Sequence, residues 1–449
     1  MDFELFKEEL FKEAKKSGFE ECEIYYSDVE SLNINIYEGE VEKYKLNTAF
    51  GLSFRGMLNG KMGYSYTEIL DEEAIKTVVN NAKSAALAIE NDDEQFIYEG
   101  DKEYKKLNCY REELDRVEPD ELIKLALEME SQCKKQCDKV VNFSGCGIGY
   151  GKSTYGIINT KGLNLKNERN HLTAYVIPII EDNNEKYDGM GYVVAENIDD
   201  VDPKKIAKDG INEALSRVGG RSIPSGKYKI IINNEAMVSL LGTFDSIFDA
   251  EQAQKGLSLL KGKEGEIIAS DALTLIDDPH LKDGLGTTAF DDEGVATYKK
   301  EIISNGKLNT LLYNLKTANK AGVKSTGNGF KSSYASIVGI SATNFYIKPG
   351  NKSLEELCQE VEYGVIITEF AGLHSGASSV TGDFSLAAKG FMIENGKKTF
   401  PVEQITVAGN FFALLKDIED VGNDLKFPMS SIGSPAVVVR ELSVAGKQN

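Results

Sequence analysis

Hydrophobic positions near the start of the chain recur with the spacing of an amphipathic helix. In residues 1–17, Phe3, Phe6, Leu10 and Ala14 fall on one stripe, with Lys and Glu elsewhere. This spacing predicts a helix that packs one side against a core. The segment lacks the uninterrupted apolar run and the cleavage site of a secretory signal, so we do not expect export.

From residue 31 the pattern changes to alternating apolar and polar positions, which indicates β-strands. The alternating runs cover residues 32–37, 41–46, 49–58 and 61–66. Asn59-Gly60 joins the last two runs as a hairpin turn, so we predict an antiparallel meander. A helix is expected to follow, with Asp71 as its N-cap and an end near residue 89.

Helical and extended patterns continue to alternate through the rest of the chain. We predict helices at residues 118–137, 203–218, 235–248, 311–320 and 353–360, and strands at 172–180 and 228–232. Residues 142–165 are Gly-rich and β-like, with a turn at residues 160–162. Gly and Pro cluster at residues 219–226, where we place the main domain boundary. The predicted fold class is therefore α+β. It has an N-terminal α+β domain (a strand meander plus helices) over residues 1–220 and a mostly antiparallel β domain over residues 221–449.

Length and charge restrict the possible partners. A chain of 449 residues is expected to form two or three domains, because single cores stop growing at about 250 to 300 residues. A net charge of −20 without a basic run disfavours direct binding to nucleic acid or to anionic membranes. No stretch approaches the roughly 20 apolar residues of a membrane span. We expect a cytoplasmic protein with reduced thiols. Of Cys133 and Cys137, we expect one to be packed and the other to have no role, rather than a metal site.

A Gly-rich segment at residues 145–153 (GCGIGYGKS) resembles a phosphate-binding loop. Such a loop needs Gly, four further residues and then Gly-Lys-Ser/Thr, and Cys146 stands where the first Gly is required. The residues that follow are strand-like, so no helix N-terminus is offered to a phosphate. We therefore predict a glycine-containing strand here.

The sequence holds only three histidines, His171, His280 and His374. His171 is expected at the surface. His280 follows Asp277 and Asp278, which could supply metal ligands with it, but we favour a solvated acidic turn. The acidic run 291–293 could likewise bind a divalent cation, and we favour a turn that enters a strand at residues 295–298.

His374 lies in a loop rich in Gly and hydroxyl side chains, residues 372–385. A Ser-His-Asp arrangement is one interpretation, but no Gly-x-Ser-x-Gly elbow accompanies it. We favour a loop that lines a peptide-binding cavity, with His374, Ser375, Asp383 and Phe384 as the substrate-binding residues. Its glycines would allow an extended chain to approach closely.

A series of short motifs in the second half resembles the TldD/PmbA family, once called modulators of DNA gyrase. The motifs are 290–294 (FDDEG), 303–308 (ISNGKL), 317–322 (TANKAG), 325–329 (STGNG), 372–376 (GLHSG), 381–385 (TGDFS), 393–396 (IENG) and 401–410 (PVEQITVAGN). Residues 51–55 (GLSFR) and 60–63 (GKMG) resemble the first domain of the same family. The resemblance covers nearly all of the chain and implies the TldD/PmbA fold.

The resemblance also implies that this chain lacks the family's zinc site. TldD-like members carry His-Glu-x-x-x-His on the helix after the first C-terminal strand, together with a late Cys ligand. Here the corresponding residues 233–248 contain no His, and the last cysteine is Cys358. The 372–376 and 381–385 motifs instead resemble the TldE (PmbA) branch. No metal ligand and no catalytic residue are therefore expected in this chain.

What the resemblance implies is a non-catalytic subunit of a metallopeptidase complex that acts on unfolded or small peptides. Zinc would be held by a TldD-like partner subunit. Two alternatives stay open at this point. One is a free-standing homodimer that binds peptides without cleaving them, and the other is an independent hydrolase that uses His374.

Overall fold

The computed structural model describes residues 1–90 and 95–447. These residues form mostly antiparallel sheets with helices packed against them, and this confirms the predicted α+β class. Among the described residues, no helix has both the length and the apolar character needed to cross a membrane.

The first half of the chain consists of one large sheet and its covering helices. In chain order its elements are α1 (Phe3–Lys16), β1 (Cys22–Tyr37), β2 (Glu40–Leu58), β3 (Lys61–Thr67), α2 (Glu72–Ala88), α3 (Glu112–Asp115), α4 (Pro119–Gln136), β4 (Val140–Asn159), β5 (Asn164–Asp182), β6 (Glu185–Asp188), β7 (Gly191–Ala195) and α5 (Pro203–Ser216). The strands run in the order β3-β2-β1-β4-β5-β6, and β7 also pairs with β5.

Two separate cores hold the helices on this sheet. Helix α1 buries Phe6, Leu10 and Ala14 at the predicted four-residue spacing, against α2 and the β1–β2 hairpin. Helices α4 and α5 pack together over β1, β4 and β5 in a second core. The Asp71 carboxylate accepts a hydrogen bond from the Ala74 backbone N–H at 2.7 Å, which confirms the predicted cap of α2.

The strands are much longer than the alternation predicts. The runs 41–46 and 49–58 are one continuous strand, β2. All residues of β1 pair with β2, and Asn47 and Thr48 pair like their neighbours, so the strand is not broken there. Strand β1 begins at Cys22 rather than near residue 32. Its first three residues, Cys22–Ile24, are all buried, so they show no alternation of buried and exposed positions. Residues 145–153 lie inside β4 and pair with β1 and β5, which confirms a strand and not a phosphate loop.

The second half of the chain contains shorter elements. They are β8 (Gly226–Ile232), α6 (Asn234–Phe244), α7 (Ala250–Lys255), β9 (Leu275–Asp277), β10 (Lys300–Ser304), β11 (Lys307–Leu308), α8 (Leu315–Ala321), β12 (Gly329–Phe330), β13 (Gly339–Ile340), β14 (Phe345–Ile347), α9 (Leu354–Val361), β15 (Tyr363–Ala371), α10 (Leu373–Gly376), β16 (Asp383–Glu394), β17 (Lys397–Asn410), α11 (Phe411–Lys416), β18 (Ile418–Val421), β19 (Ile432–Gly433) and β20 (Val437–Ala445). The boundary that we place near residue 220 stays a prediction.

One sheet of the second half closes on itself. Its strands follow the order β17-β16-β15-β8-β20, and β17 also pairs with β20; β18 extends the sheet from β20. A smaller sheet has the order β11-β10-β9-β14-β19. Helix α6 follows directly from the buried strand β8 and packs against β15. This connection fixes the start of α6 at the end of the closed sheet.

Candidate functional site

The start of α6 forms one wall of a cleft of about 410 Å³. Buried isoleucines, Ile230–Ile232, end β8, and the Asn233 side chain then caps α6 by accepting a hydrogen bond from the Ala236 backbone N–H at 2.9 Å. Across the cleft lie β7 and α5 of the first half, and β16 and β17 complete the walls. The cleft therefore lies between the two halves of the chain.

The first turns of α6 contain no ligand of the zinc motif that the sequence resemblance implies for TldD-like chains. Glu235 is the one glutamate of residues 233–248, and if His-Glu-x-x-x-His is placed on it, Asn234 and Ser239 stand at the two imidazole positions. The Asn234 amide donates to the Asp424 carbonyl and carboxylate oxygens, both at 3.1 Å. The Ser239 hydroxyl donates to the Glu235 backbone carbonyl at 3.1 Å. Both positions that would carry imidazoles are thus occupied by polar groups with partners inside the protein.

Glu235 keeps the position of the motif's glutamate and is bonded to a lysine. Lys426, from the segment before β19, forms a short ion pair with the Glu235 carboxylate. The Tyr192 hydroxyl on β7 donates to the same carboxylate at 3.3 Å, and the Lys426 ammonium lies 5.0 Å from the centre of the Tyr192 ring. Three segments therefore meet at one carboxylate.

The charges of Lys426 and Glu235 balance each other inside the cleft. Burial lowers the pKa of Lys426, but the hydrogen bond and charge of Glu235 outweigh it, so the net shift of the pKa is upward. Burial also raises the pKa of Tyr192. Lys426 therefore carries its positive charge near pH 7, next to the Glu235 carboxylate.

The residues of this cleft do not fit a zinc ion. Zinc sites are built from imidazoles, thiolates and carboxylates, with three or four of them around the metal. Among the described residues, neither His nor Cys lines this cleft, and its carboxylate at the motif position already binds an ammonium group. No cluster of three or more potential ligands occurs in residues 1–90 and 95–447 either. The absence of zinc from the protein itself stays a prediction.

The loop at residues 372–385 lies near α6 but does not form a catalytic triad. The Asp383 carboxylate accepts a hydrogen bond from the Asn410 side chain at 2.9 Å, and within the described chain no hydrogen bond joins it to His374. The Ser375 hydroxyl donates to the Gly372 carbonyl at 3.3 Å. Phe384 is 4% exposed and packs against Phe244, with 6.4 Å between ring centres. The assignment of these residues to peptide binding stays a prediction.

The acidic turn at residues 277–278, which we expected to be solvated, is buried, so that expectation was wrong. Asp277 is fully buried and accepts hydrogen bonds from the Lys300 ammonium and the Asn328 amide, both at 2.9 Å. Asp278 instead pairs with Lys299 at 2.8 Å. Nearby, His280 approaches the Thr297 hydroxyl at 3.3 Å. The two carboxylates hold loops together and do not form a ligand set with His280.

The run 291–293 is buried as well. The Asp291 carboxylate accepts hydrogen bonds from the backbone N–H groups of Glu293, Val295 and Gly329, at 2.9 to 3.0 Å. The predicted strand at residues 295–298 does not form, because these bonds fold the segment into a tight turn. The buried run therefore stabilises the fold of the second half. An ion pair between Glu293 and Arg55, at 3.5 Å, also joins the second half to the first.

Sequence reasoning overlooked Lys426 and Tyr192. No local pattern marks Lys426, because it lies far from α6 in the sequence and only the fold brings the two together. Cys133, on α4, is buried in the core that α4 and α5 share, in agreement with the expectation that one of the two cysteines is packed. His171 and His280 were considered separately, although both line a second cleft between the two halves.

Comparisons with known proteins agree with this geometry. Models of the first, central and C-terminal domains of PmbA/TldA metallopeptidases match residues 22–86, 112–218 and 225–446. Metalloprotease PmbA of Escherichia coli O157:H7 is 32% identical over 336 residues, which cover 74% of this chain and 71% of that protein. The three family models together extend from the start of β1 to the end of β20.

Solved structures show the same fold. A Thermotoga maritima protein, named as a modulator of a DNA gyrase, is 35% identical, with a TM-score of 0.91 over 99% of this chain and 100% of its own. TldE from Thermococcus kodakarensis shares the fold at 22% identity, with a TM-score of 0.89 over 98% of this chain and 100% of its own. The chain belongs to the TldD/PmbA family of metallopeptidases.

Proposed function

We propose that this protein is the zinc-less, TldE-like subunit of a TldD/TldE-type peptidase that cuts unfolded or small peptides. The observation that carries the proposal is the ion pair between Lys426 and Glu235 at the start of α6. A lysine ammonium there neutralises the carboxylate that would serve as the base in a zinc-containing member. The catalytic zinc then belongs to a TldD-like partner subunit.

The degenerate motif supports a role in a pair rather than independent catalysis. Peptide hydrolysis in this family needs metal-bound water and a free carboxylate to take its proton. Glu235 is committed to Lys426 and Tyr192, and Asn234 is committed to Asp424. A chain that keeps the cleft but has lost this chemistry can still shape a peptide-binding surface beside an active partner.

Two other functions make different predictions. A free-standing homodimer would bind peptides but would never gain activity from a TldD-like subunit. An independent hydrolase would cleave peptides alone, and its activity would disappear in His374→Ala. The structure offers His374 neither a carboxylate nor a serine hydroxyl as a hydrogen-bonded partner within the described residues.

The test is reconstitution of peptide cleavage. This chain and a TldD-like subunit from the same source are purified separately, and cleavage of an unfolded peptide is measured for each and for the mixture. We expect activity from the mixture only, together with a complex in light scattering. Cleavage by this chain alone, or a mixture in which both proteins stay monomeric and inactive, would contradict the proposal.

The loop at residues 372–385 gives a separate prediction. We expect His374→Ala and Asp383→Asn to lower cleavage by the assembled pair about fivefold each, because each removes one polar contact to a peptide worth about 1 kcal/mol. Both side chains are exposed, so the melting temperature should change by no more than a few degrees.

The matched control for this loop is Asp271→Asn, an exposed aspartate in another part of the second half. It should change neither cleavage nor melting temperature. If the loop variants unfold the protein, or if cleavage by the pair is unchanged, the loop has only a structural role.

A further inference from the structure

A second cleft, of about 710 Å³, lies where the first sheet meets the second half of the chain. One wall comes from β4, β5 and the end of β7, and another from the connector at residues 105–111. The third wall is the loop at residues 280–287, which follows the buried Asp277 and Asp278. We call it the basic cleft, because positively charged side chains surround it. These are Lys105, Lys106, Arg111, Arg169 and Lys282.

Some of these charges have partners and others do not. The Arg111 guanidinium pairs with Glu196 at 3.2 Å and closely with Asp283, and Lys282 lies 3.5 Å from Asp283. In the described part of the chain, no carboxylate forms an ion pair with Lys105, Lys106 or Arg169. The lining holds these five cations and two carboxylates, Glu196 and Asp283, so its formal charge is +3 on a protein whose net charge is −20. This excess of cations creates a local positive potential on an acidic protein.

Arg169 is held in place, which distinguishes the cleft from a patch of mobile surface lysines. One of its guanidinium nitrogens donates a short hydrogen bond to the Leu285 backbone carbonyl of the opposite wall. The other donors of the guanidinium are thereby oriented by the protein itself. A preorganised guanidinium suits carboxylate oxygens, which accept paired N–H bonds.

The two histidines of the cleft respond to this potential. Burial lowers the pKa of His171, and the charge of Arg169 lowers it further. Burial also lowers the pKa of His280, and Lys105 is the next contributor. Both imidazoles are therefore neutral near pH 7, and each adds a neutral hydrogen-bonding group beside the cations.

Apolar side chains lie between the charged ones. Leu107 belongs to the connector, Val194 to β7, and Leu281 and Leu285 to the third wall. A peptide offers apolar side chains and carboxylates together, as this lining requires. Phosphate also accepts paired N–H bonds from a guanidinium, so it is the apolar side chains of the lining that favour a peptide over a phosphate. The other common phosphate site uses backbone N–H groups of a Gly-rich loop or a helix N-terminus. The neighbouring Gly-rich residues 145–153 are a paired strand.

We propose that the basic cleft binds the carboxylate groups of an acidic peptide segment, with Lys105, Lys106 and Arg169 as the contacting cations. The choice of a peptide rests on the proposed function, whereas the preference for anionic groups rests on the charges of the cleft alone. The site would select among peptides by charge, at a distance from the carboxylate of Glu235.

The experiment measures binding by the isolated full-length chain, so that its result does not depend on a partner or on cleavage. The probe is a fluorescently labelled peptide of alternating Glu and Leu, and its matched control has Gln in place of Glu. We expect the Glu peptide to bind at least about tenfold more tightly, and to weaken with added salt.

Charge reversal locates the site. Lys105→Glu/Lys106→Glu should weaken binding of the Glu peptide about tenfold or more, since two attractions become repulsions. The control Lys43→Glu/Lys45→Glu makes the same charge change on exposed positions of β2 and should leave binding unchanged. If the first variant folds poorly, Lys105→Gln/Lys106→Gln takes its place, with melting curves for all variants.

Three outcomes would overturn the proposal. The first is equal binding of the Glu and Gln peptides, and the second is an equal loss of binding in the two reversal variants. The third is displacement of the peptide by inorganic phosphate at concentrations where free glutamate has no effect, which would identify a phosphate site. Failure of the pair to cleave peptides would leave the binding result intact, so the two proposals can fail separately.

Discussion

Replacing Arg55 with Met is expected to lower the free energy of unfolding by about 3 to 5 kcal/mol, because it leaves buried carboxylates without their cation. Arg55 lies on β2, with its side chain 11% exposed. It pairs with Glu23 of β1 at 2.6 Å and with Glu293 of the second half at 3.5 Å, whose side chains are 2% and 5% exposed. The ion pair thus joins the first sheet to the second half.

This loss of stability should depend on pH. Burial raises the pKa of Glu293 above its ordinary value of 4.5, and Arg55 opposes that shift. Without Arg55 the folded-state pKa rises further above the unfolded value, so the folded protein takes up a proton more readily. The stability lost in Arg55→Met should therefore return in part as the pH falls from 7 towards 4.5.

Chemical denaturation of the wild type and the variant at several pH values tests this prediction. The control is Arg116→Met, which removes an ion pair with Glu112 in which both side chains are 74% exposed. Arg116→Met should lower the free energy of unfolding by less than about 0.5 kcal/mol. Similar losses in the two variants would show that the buried ion pair does not hold the halves together.

Gly191→Ala is expected to destabilise the protein by roughly 3 kcal/mol, since the added methyl group has no space. A Cβ at Gly191 would lie 1.8 Å from the Ile206 carbonyl oxygen, a backbone atom of α5 that cannot move by itself. Separating α5 from β7 would also displace Tyr192, the next residue along the strand. The same variant should therefore weaken cleavage by the assembled pair.

The matched control is Gly339→Ala, because a Cβ at Gly339 meets no atom closer than 3.6 Å. Thermal unfolding of both variants checks the prediction. If Gly191→Ala melts within a degree or two of the wild type, α5 does not pack on β7 as closely as the structure describes.

Local patterns in the sequence were sufficient for the longer helices, whereas α3, α7, α10 and α11, of four to six residues each, were missed. Phe6, Leu10 and Ala14 identified α1, and Asp71 identified the start of α2, because helix signals depend on residues a few positions apart. Strand lengths were underestimated, since the continuity of β2 depends on pairing with β1 and not on its own side chains. Pairing partners that are distant in sequence leave no local signal.

Buried charge was the main failure of sequence reasoning. Asp277 and Asp291 look like solvated turn residues, because aspartate is rarely buried without partners. Their partners, Lys300 and the backbone of Gly329, come from other segments and are recognised only in the folded chain. The same reason explains why Lys426 was missed: the loss of the zinc ligands was readable, but the cation that binds Glu235 was not.

The measurement that tests the central claim most directly is the zinc content of each subunit of the assembled pair. The pair is formed without tags, its subunits are separated without chelators, and each is analysed for metals. The account predicts close to one zinc per TldD-like subunit and none with this chain, whose cleft places the Lys426 ammonium on Glu235. Stoichiometric zinc bound to this chain, lost in Glu235→Gln, would contradict it.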